Sequence, residues 1–175
     1  MKIKLVYKSK SGFTKQYAEW IAQETGCELI PEKAANISDV KGCDVLVYGS
    51  RMHAGRVDGL SQARKLFAGS GAKHFIVFAT GGMPCSAVET VEEMWKNNLT
   101  AEELESIPHF YMQAGICYEK LGLVDKAMMK MAASMMAKQA EKNPMEAQIV
   151  KAVQGSYDIS DKQYIVPLVG FLRGL

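Results

Sequence analysis

The chain has 175 residues, 48% of them hydrophobic and 23% charged, which suits one globular domain with a substantial core and excludes a disordered chain. A formal net charge of +2, with basic and acidic residues interspersed, excludes the basic footprint of a nucleic-acid-binding protein. No apolar run is long enough to span a membrane, and Met1–Tyr7 lacks the apolar stretch of a signal peptide, so the expectation is a cytoplasmic protein.

Short apolar runs alternate with longer amphipathic stretches along the chain. Ile3–Tyr7 predicts a first strand, apolar almost throughout, as in strands covered on both faces. Thr14–Thr25 predicts a helix with Tyr17, Ala18, Ile21 and Thr25 on one face and Gly26 as its stop. Cys27–Ile30 is a short second strand and Asp44–Gly49 the clearest strand of all. A helix is expected over Asp58–Phe67, ending before Gly69-Ser70-Gly71, and a fourth strand over His74–Thr80. The stretch from Ser86 to Glu105 reads as helical and His109–Gly115 as a fifth strand. Val124–Lys142 predicts a long helix stopped by Asn143-Pro144. Ser160–Arg173 predicts a closing helix that Pro167 kinks or begins. Such alternation implies right-handed βαβ units and a doubly wound α/β sandwich, one domain over residues 1–175.

The four cysteines, Cys27, Cys43, Cys85 and Cys117, form no C-x-x-C pair and have no histidine at zinc-ligand spacing. They are expected to be reduced, mostly buried thiols, and no metal site is expected.

The segment Lys8-Ser9-Lys10-Ser11-Gly12-Phe13-Thr14 lies between the first strand and the first helix. A helix start there offers unpartnered backbone N–H groups and the positive end of its dipole. Ser9, Ser11 and Thr14 add hydroxyl donors, and Gly12 allows close backbone approach. Such a loop suits a phosphate, although an ordinary turn with Ser11 or Thr14 as N-cap has the same composition. It is neither a dinucleotide fingerprint nor a Walker A loop.

Ser9, Ser11, Gly12 and Thr14 resemble the hydroxyl-rich phosphate loop of the flavodoxin family, position by position; Phe13 departs from the small polar residue common there. Gly49-Ser50-Arg51-Met52-His53-Ala54-Gly55 is similar to that family's loop over one face of the flavin ring. Thr80-Gly81-Gly82-Met83-Pro84 stands in the place of its second ring-contacting loop. The resemblance implies a flavodoxin-like three-layer sandwich with a five-stranded parallel sheet of order 2-1-3-4-5, binding flavin mononucleotide (FMN) at the carboxyl ends of the strands. It implies Ser9, Lys10, Ser11, Gly12, Phe13 and Thr14 at the phosphate. Ser50, Met52, His53, Ala54 and Gly55, with Thr80, Gly81 and Gly82, would flank the ring. His53 stands where the family has a ring-stacking aromatic, so it is either a flat partner for the flavin or an exposed loop histidine. His74 and His109 are expected to be structural, and Cys85 a passive thiol near the third loop.

Farther on, Gly115-Ile116-Cys117-Tyr118-Glu119-Lys120-Leu121 and Asp125-Lys126-Ala127-Met128-Met129-Lys130-Met131 are similar to a flavodoxin-like branch that includes the bacterial flavodoxin-type protoporphyrinogen oxidase. On a helix, Met128, Met129, Met131, Met135 and Met136 span an arc of roughly 160°. Core packing accounts for such an arc; so does an adaptable surface for a greasy substrate or partner. Lys126, Lys130, Lys138 and Lys142 border it or follow it, which leaves contact with a membrane surface open. The family's electron carriers are strongly acidic, and this chain has no acidic excess. The expectation is an FMN-dependent oxidoreductase acting with a redox partner or a small acceptor such as a quinone or porphyrinogen; the alternative is an electron-transfer module without its own substrate. No residue is assigned as catalytic acid or base.

Overall fold

In the computed structural model, which describes residues 1–128, 130–131 and 155–175, the first apolar run forms strand β1 at Ile3–Tyr7, as expected. Then follow α1 (Phe13–Thr25), β2 (Glu28–Pro31), α2 (Ile37–Val40), β3 (Val45–His53), β4 (Arg56–Val57) and α3 (Leu60–Ser70). After these come β5 (His74–Gly81), α4 (Val88–Lys96), α5 (Ala101–Ser106), β6 (His109–Gln113) and the closing helix α6 (Val166–Arg173). Residues 1–114 with 160–175 form one compact unit, and residues 115–159 a second.

The five main strands pair in parallel in the order β2-β1-β3-β5-β6, and β4 pairs antiparallel with β3 off that path. Setting the hairpin strand aside, this is the expected order 2-1-3-4-5 of the flavodoxin-like fold. Leu5, Val47 and Ile76 are register partners that face α1 and α6, where Tyr17, Ala18, Ile21, Leu168 and Leu172 cover them. Val6, Tyr48 and Val77 form the next row and face α2, α3 and α4 through Val40, Leu60, Leu66 and Trp95. Both faces are thus dry, which is why these strands read as nearly continuous apolar runs rather than as alternating ones.

One row shows how closely the sheet is fitted. Tyr7, Gly49, Phe78 and Phe110 are successive register partners. A Cβ on Gly49 would lie 2.0 Å from the Phe78 ring, so the ring occupies the space a side chain would take. Gly49 is required here by close approach, not by its backbone angles.

Several boundaries differ from the sequence expectation for physical reasons. β3 does not stop at Gly49 but runs four residues further: Ser50 and Arg51 stay in register with Ala79 and Thr80 of β5, Met52 and His53 pair with β4, and the Arg51 charge is neutralised by Asp58 at 2.6 Å. The helical stretch 86–105 is two helices, broken at Asn97–Leu99, with a capping box at Thr100 and Glu103 starting the second. α3 takes in Gly69 and Ser70 and ends at Gly71. The closing segment is a 3-10 turn (Lys162–Ile165) followed by α6, whose first turn holds Pro167. In the second unit Ile116 and Tyr157 exchange backbone hydrogen bonds of 2.9 and 2.8 Å, and residues 123–128 and 130–131 are helical. Met129, Met135, Met136, Lys138, Lys142 and the Asn143-Pro144 stop lie outside the described residues.

Two glycine substitutions should have opposite signs in chemical denaturation. Gly49→Ala forces Phe78 out of its place and should cost about 1–3 kcal/mol. Gly170→Ala, inside α6 with no atom within 4 Å of the new Cβ, should stabilise by roughly 0.5–1 kcal/mol.

Candidate functional site

The three segments singled out in the sequence all follow or end strands at the carboxyl edge of the sheet. β1 is extended by one bond, Lys8 N–H to the Gly49 carbonyl at 2.8 Å, before the chain turns into α1. The turn is closed by Gly12 N–H donating to Ser9 Oγ at 3.2 Å. Gly12 has φ +113°, a left-handed value that strains any side chain, and the space above its Cα is open. It stands at the N-cap position of α1, so the hydroxyl cap that Ser11 or Thr14 could have provided is not made: no side chain caps this helix, and no acidic residue lies in its first turn. The first turn therefore keeps its affinity for negative charge.

Thr14 does something the sequence did not indicate. It is 2% exposed, and its Oγ1 lies 2.8 Å from Thr80 Oγ1, also 2% exposed, so a buried hydroxyl pair ties the first segment to the end of β5. Thr80 and Gly81 are the last residues of β5 rather than loop residues, and Gly82 is the first beyond it. The Gly81 carbonyl accepts from Ala114 N–H at 2.8 Å, and the Tyr111 hydroxyl donates to the Met83 carbonyl at 3.1 Å. A Cβ on Gly81 would sit 2.6 Å from that hydroxyl. Cys85 is half-buried; its N–H donates to Gln113 Oε1 at 3.2 Å, and burial pushes its thiol pKa up, which keeps it protonated and passive.

The middle segment is a hairpin, not a loop. Met52 pairs with Val57 and His53 with Arg56 across a turn of Ala54 and Gly55, both with positive φ (48° and 75°). Two positive φ values match the twist of a two-residue hairpin, but alanine in that region costs roughly 1 kcal/mol. Strand alternation separates the expected site residues. Ser50 and Met52 follow Leu46 and Tyr48 on the α3 side: Ser50 Oγ is buried without a hydrogen-bond partner, and Met52 packs against that core. Arg51 and His53 fall on the α1 side with Thr80, beside which Arg51 stands in register. The structure thus brings Ser9, Gly12, Thr14, Thr80 and the backbone of the hairpin to one edge, but it does not bring the Ser50 and Met52 side chains to that face.

Beneath the edge lies a charge network. The Tyr48 hydroxyl donates to the Asp58 carbonyl at 2.7 Å, and Lys8 Nζ lies 3.3 Å from Glu32 Oε1. Burial, reinforced by the Glu32 carboxylate, pushes the Tyr48 phenol far above its ordinary pKa, so it stays a donor. His109 is structural, its Nδ1 2.8 Å from the Ile107 carbonyl and its ring 4.9 Å from that of Trp95; His74 is exposed at the start of β5. Among the described residues no cluster of His, Cys, Asp or Glu is arranged to hold a metal ion, and no helix is long and apolar enough to cross a membrane. Met128 and Met131 are 49% and 63% exposed, so core packing does not account for them. Asn98, Arg64 and Glu103, which support the hairpin, went unnoticed in the sequence; the Thr100-x-x-Glu103 capping box was the readable signal.

The hydroxyl pair is open to a double-mutant cycle. Thr14→Val and Thr80→Val should each cost about 1–3 kcal/mol in urea melts, because each leaves one buried hydroxyl unpaired. The double variant should cost less than the sum; strict additivity would show that the two hydroxyls do not depend on each other.

Among solved structures, an archaeal flavodoxin is similar at 19% identity, covering 65% of this chain and 85% of that one, with a TM-score of 0.42. Two-electron reduced Megasphaera elsdenii flavodoxin is similar at 16% identity, covering 62% and 82%, with a TM-score of 0.41. A flavodoxin, WrbA-like protein from Agrobacterium tumefaciens is 14% identical, covering 71% and 87%, with a TM-score of 0.41. No curated protein matches the chain at a significant level. A family model described as a flavodoxin domain matches residues 4–143, which is most of the sequence, and the chain belongs to that flavodoxin-domain family.

Proposed function

We propose that this protein binds FMN at the carboxyl edge of the sheet and acts as an oxidoreductase that passes electrons through it. One observation carries the reading: the N-terminus of the 13-residue helix α1 has no side-chain cap and no first-turn acid, and it opens beside a glycine with free space above it. A phosphate there would receive backbone N–H groups from the first turn, with Ser9, Lys10, Ser11, Gly12, Phe13 and Thr14 around it. The Thr14 hydroxyl is already engaged by Thr80, so its role is to hold the turn while its backbone faces the anion. Around the ring the proposal assigns His53, Ala54, Gly55, Gly81 and Gly82, with Ser50, Met52 and Thr80 contributing backbone, since their side chains are turned into the protein or already paired.

FMN, when bound, supplies reversible one- and two-electron chemistry; the protein's part is to orient it and set its surroundings. The weakly positive chain supports an enzyme with its own acceptor over an acidic carrier steered to basic proteins. So does the second unit, where Leu123, Val124, Met128 and Met131 are exposed beside Lys126 and Lys130, a surface suited to an apolar, anionic acceptor. A porphyrinogen, apolar in its macrocycle and anionic at its carboxylates, fits both features, in keeping with the likeness of residues 115–131 to the protoporphyrinogen oxidase branch; a quinone, which carries no charge, fits the apolar part alone.

Titration should show FMN binding about a hundredfold tighter than riboflavin, since two or more charge-assisted hydrogen bonds depend on the phosphate. Ser11→Asp should weaken FMN at least tenfold while leaving the fold as stable or more so, because an acid beside this helix start favours the helix and repels the phosphate. A colourless protein that takes up no FMN would sink the reading. With FMN bound, repeated turnover of NAD(P)H with a quinone, or of a porphyrinogen, is expected of the enzyme; reduction without turnover identifies the electron-transfer module.

A further inference from the structure

The hairpin that carries His53, Ala54 and Gly55 cannot hold its own shape. Its second strand, β4, is two residues long, and its turn places an alanine at φ +48°. A ladder that short is not stable alone, and the strain at Ala54 favours relaxation. Something outside the hairpin must fix it, and the contacts identify what does.

Asn98 lies in the break between α4 and α5, 43 residues from Gly55. Its Nδ2 donates to the Gly55 carbonyl at 2.7 Å and to the Met94 carbonyl at 2.7 Å. Its Oδ1 accepts from Val57 N–H at 2.8 Å. Both amide hydrogens and the oxygen are used, and the reverse orientation would set the oxygen against two carbonyls and the NH2 against an N–H donor. The Asn98 carbonyl in turn accepts from Arg64 at 2.8 Å, and Arg64 is gripped by both oxygens of Glu103 at 2.7 and 2.6 Å. A second strut runs from Arg56 to the Asn97 carbonyl. The hairpin is thus held at two points, at the second turn residue Gly55 and at Val57 of its returning strand, by one side chain rooted in a helix break that an ion pair holds in place.

We infer that Asn98 is a positioning residue for the flavin site: it clamps the strained Ala54–Gly55 turn in the conformation that meets the ring, with the Arg64–Glu103 pair fixing the clamp. The inference rests on the FMN reading for its consequence but not for the clamp itself. Only asparagine fits. Aspartate keeps the acceptor for Val57 but confronts the Gly55 and Met94 carbonyls with negative charge; alanine leaves the Gly55 carbonyl and the Val57 N–H without their partner; glutamine is one methylene too long.

The test compares Asn98→Ala and Asn98→Asp with the wild-type protein. In the flavin-free chain, amide exchange at Val57 should speed up at least about tenfold in Asn98→Ala, the effect of losing one neutral hydrogen bond at a strained turn. Unchanged exchange there overturns the clamp, whatever flavin does. With FMN, both variants should show a dissociation constant raised roughly tenfold at neutral pH. As the pH is lowered, Asn98→Asp should recover part of that affinity, because a protonated carboxyl regains one donor, while Asn98→Ala does not. Faster exchange with unchanged FMN affinity makes Asn98 merely structural and overturns the positioning role. Should the wild type bind no FMN, the FMN reading falls and the positioning role with it, and the exchange measurement still decides the clamp. Should Asn98→Ala not fold, Asn98→Asp carries the comparison through its pH profile.

Discussion

The start of α1 is tied to the sheet edge by a buried polar contact, the hydroxyl pair of Thr14 and Thr80. One turn on, the Tyr17 hydroxyl donates to the Gln113 carbonyl at the end of β6, and the rest of that face packs through apolar side chains such as Ala18 and Ile21, which tolerate small slides. Thr80 continues the row of Ile76 and Phe78 to the end of β5, where another apolar residue would have served burial equally well. A hydroxyl there is satisfied only at hydrogen-bond distance and angle, and leaving it unmade in a dry setting is costly. The pair thus converts a packing contact into a fixed distance. It decides where the exposed N–H groups of the first turn stand relative to the strand ends, which is the geometry an anion site at a switch point requires.

The architecture was legible because every main strand is covered on both faces, so each appears as a short apolar run between amphipathic helices. The order of strands came from the loop motifs, not from periodicity. The site was legible in part. Ser9, Gly12 and Thr14 do gather at the start of α1, but Gly12 rather than a hydroxyl residue took the N-cap position, and this leaves the turn open to a ligand. The middle segment reads as a loop in the sequence because Ser50, Arg51 and His53 are polar, yet it is the end of β3. Its strand character comes from pairing with β5 and β4, with the Arg51 charge matched by Asp58, and polarity read along the chain cannot anticipate partners supplied by later residues. Asn98 illustrates the same limit: its partners, Gly55 and Val57, lie 43 and 41 residues away, beyond the reach of any local pattern.

The charges near the edge are largely spent within the protein. Glu32 holds Lys8, Asp58 holds Arg51 and Glu103 holds Arg64, whose guanidinium keeps that carboxyl below its usual range. Paired charges impose little net field on a ligand. The open first turn of α1, which has no acid of its own, attracts an anion through its backbone. Attraction by fixed N–H dipoles needs no reorganisation when an anion arrives, whereas a lysine must be ordered at an entropic cost. The weakly positive total charge therefore says less about the site than does the lack of acids in one helical turn.

The break between α4 and α5 then has a structural purpose. In a continuous helix the Asn98 carbonyl would be taken by an amide four residues on, and Arg64 would have nothing to seize. Ending α4 frees that carbonyl for Arg64, and restarting the chain at Thr100 with Glu103 as capping partner places the same carboxylate where it can bind Arg64 with both oxygens. One acid thus starts a helix and anchors a cation, the cation anchors a loop, and the loop's asparagine holds the hairpin at Gly55 and Val57. Two of these contacts also satisfy groups that the helix break leaves without helical partners, the Thr100 N–H through Glu103 and the Asn98 carbonyl through Arg64. The hairpin's precision therefore comes from a discontinuity in the neighbouring helices, not from the hairpin's own two-residue ladder.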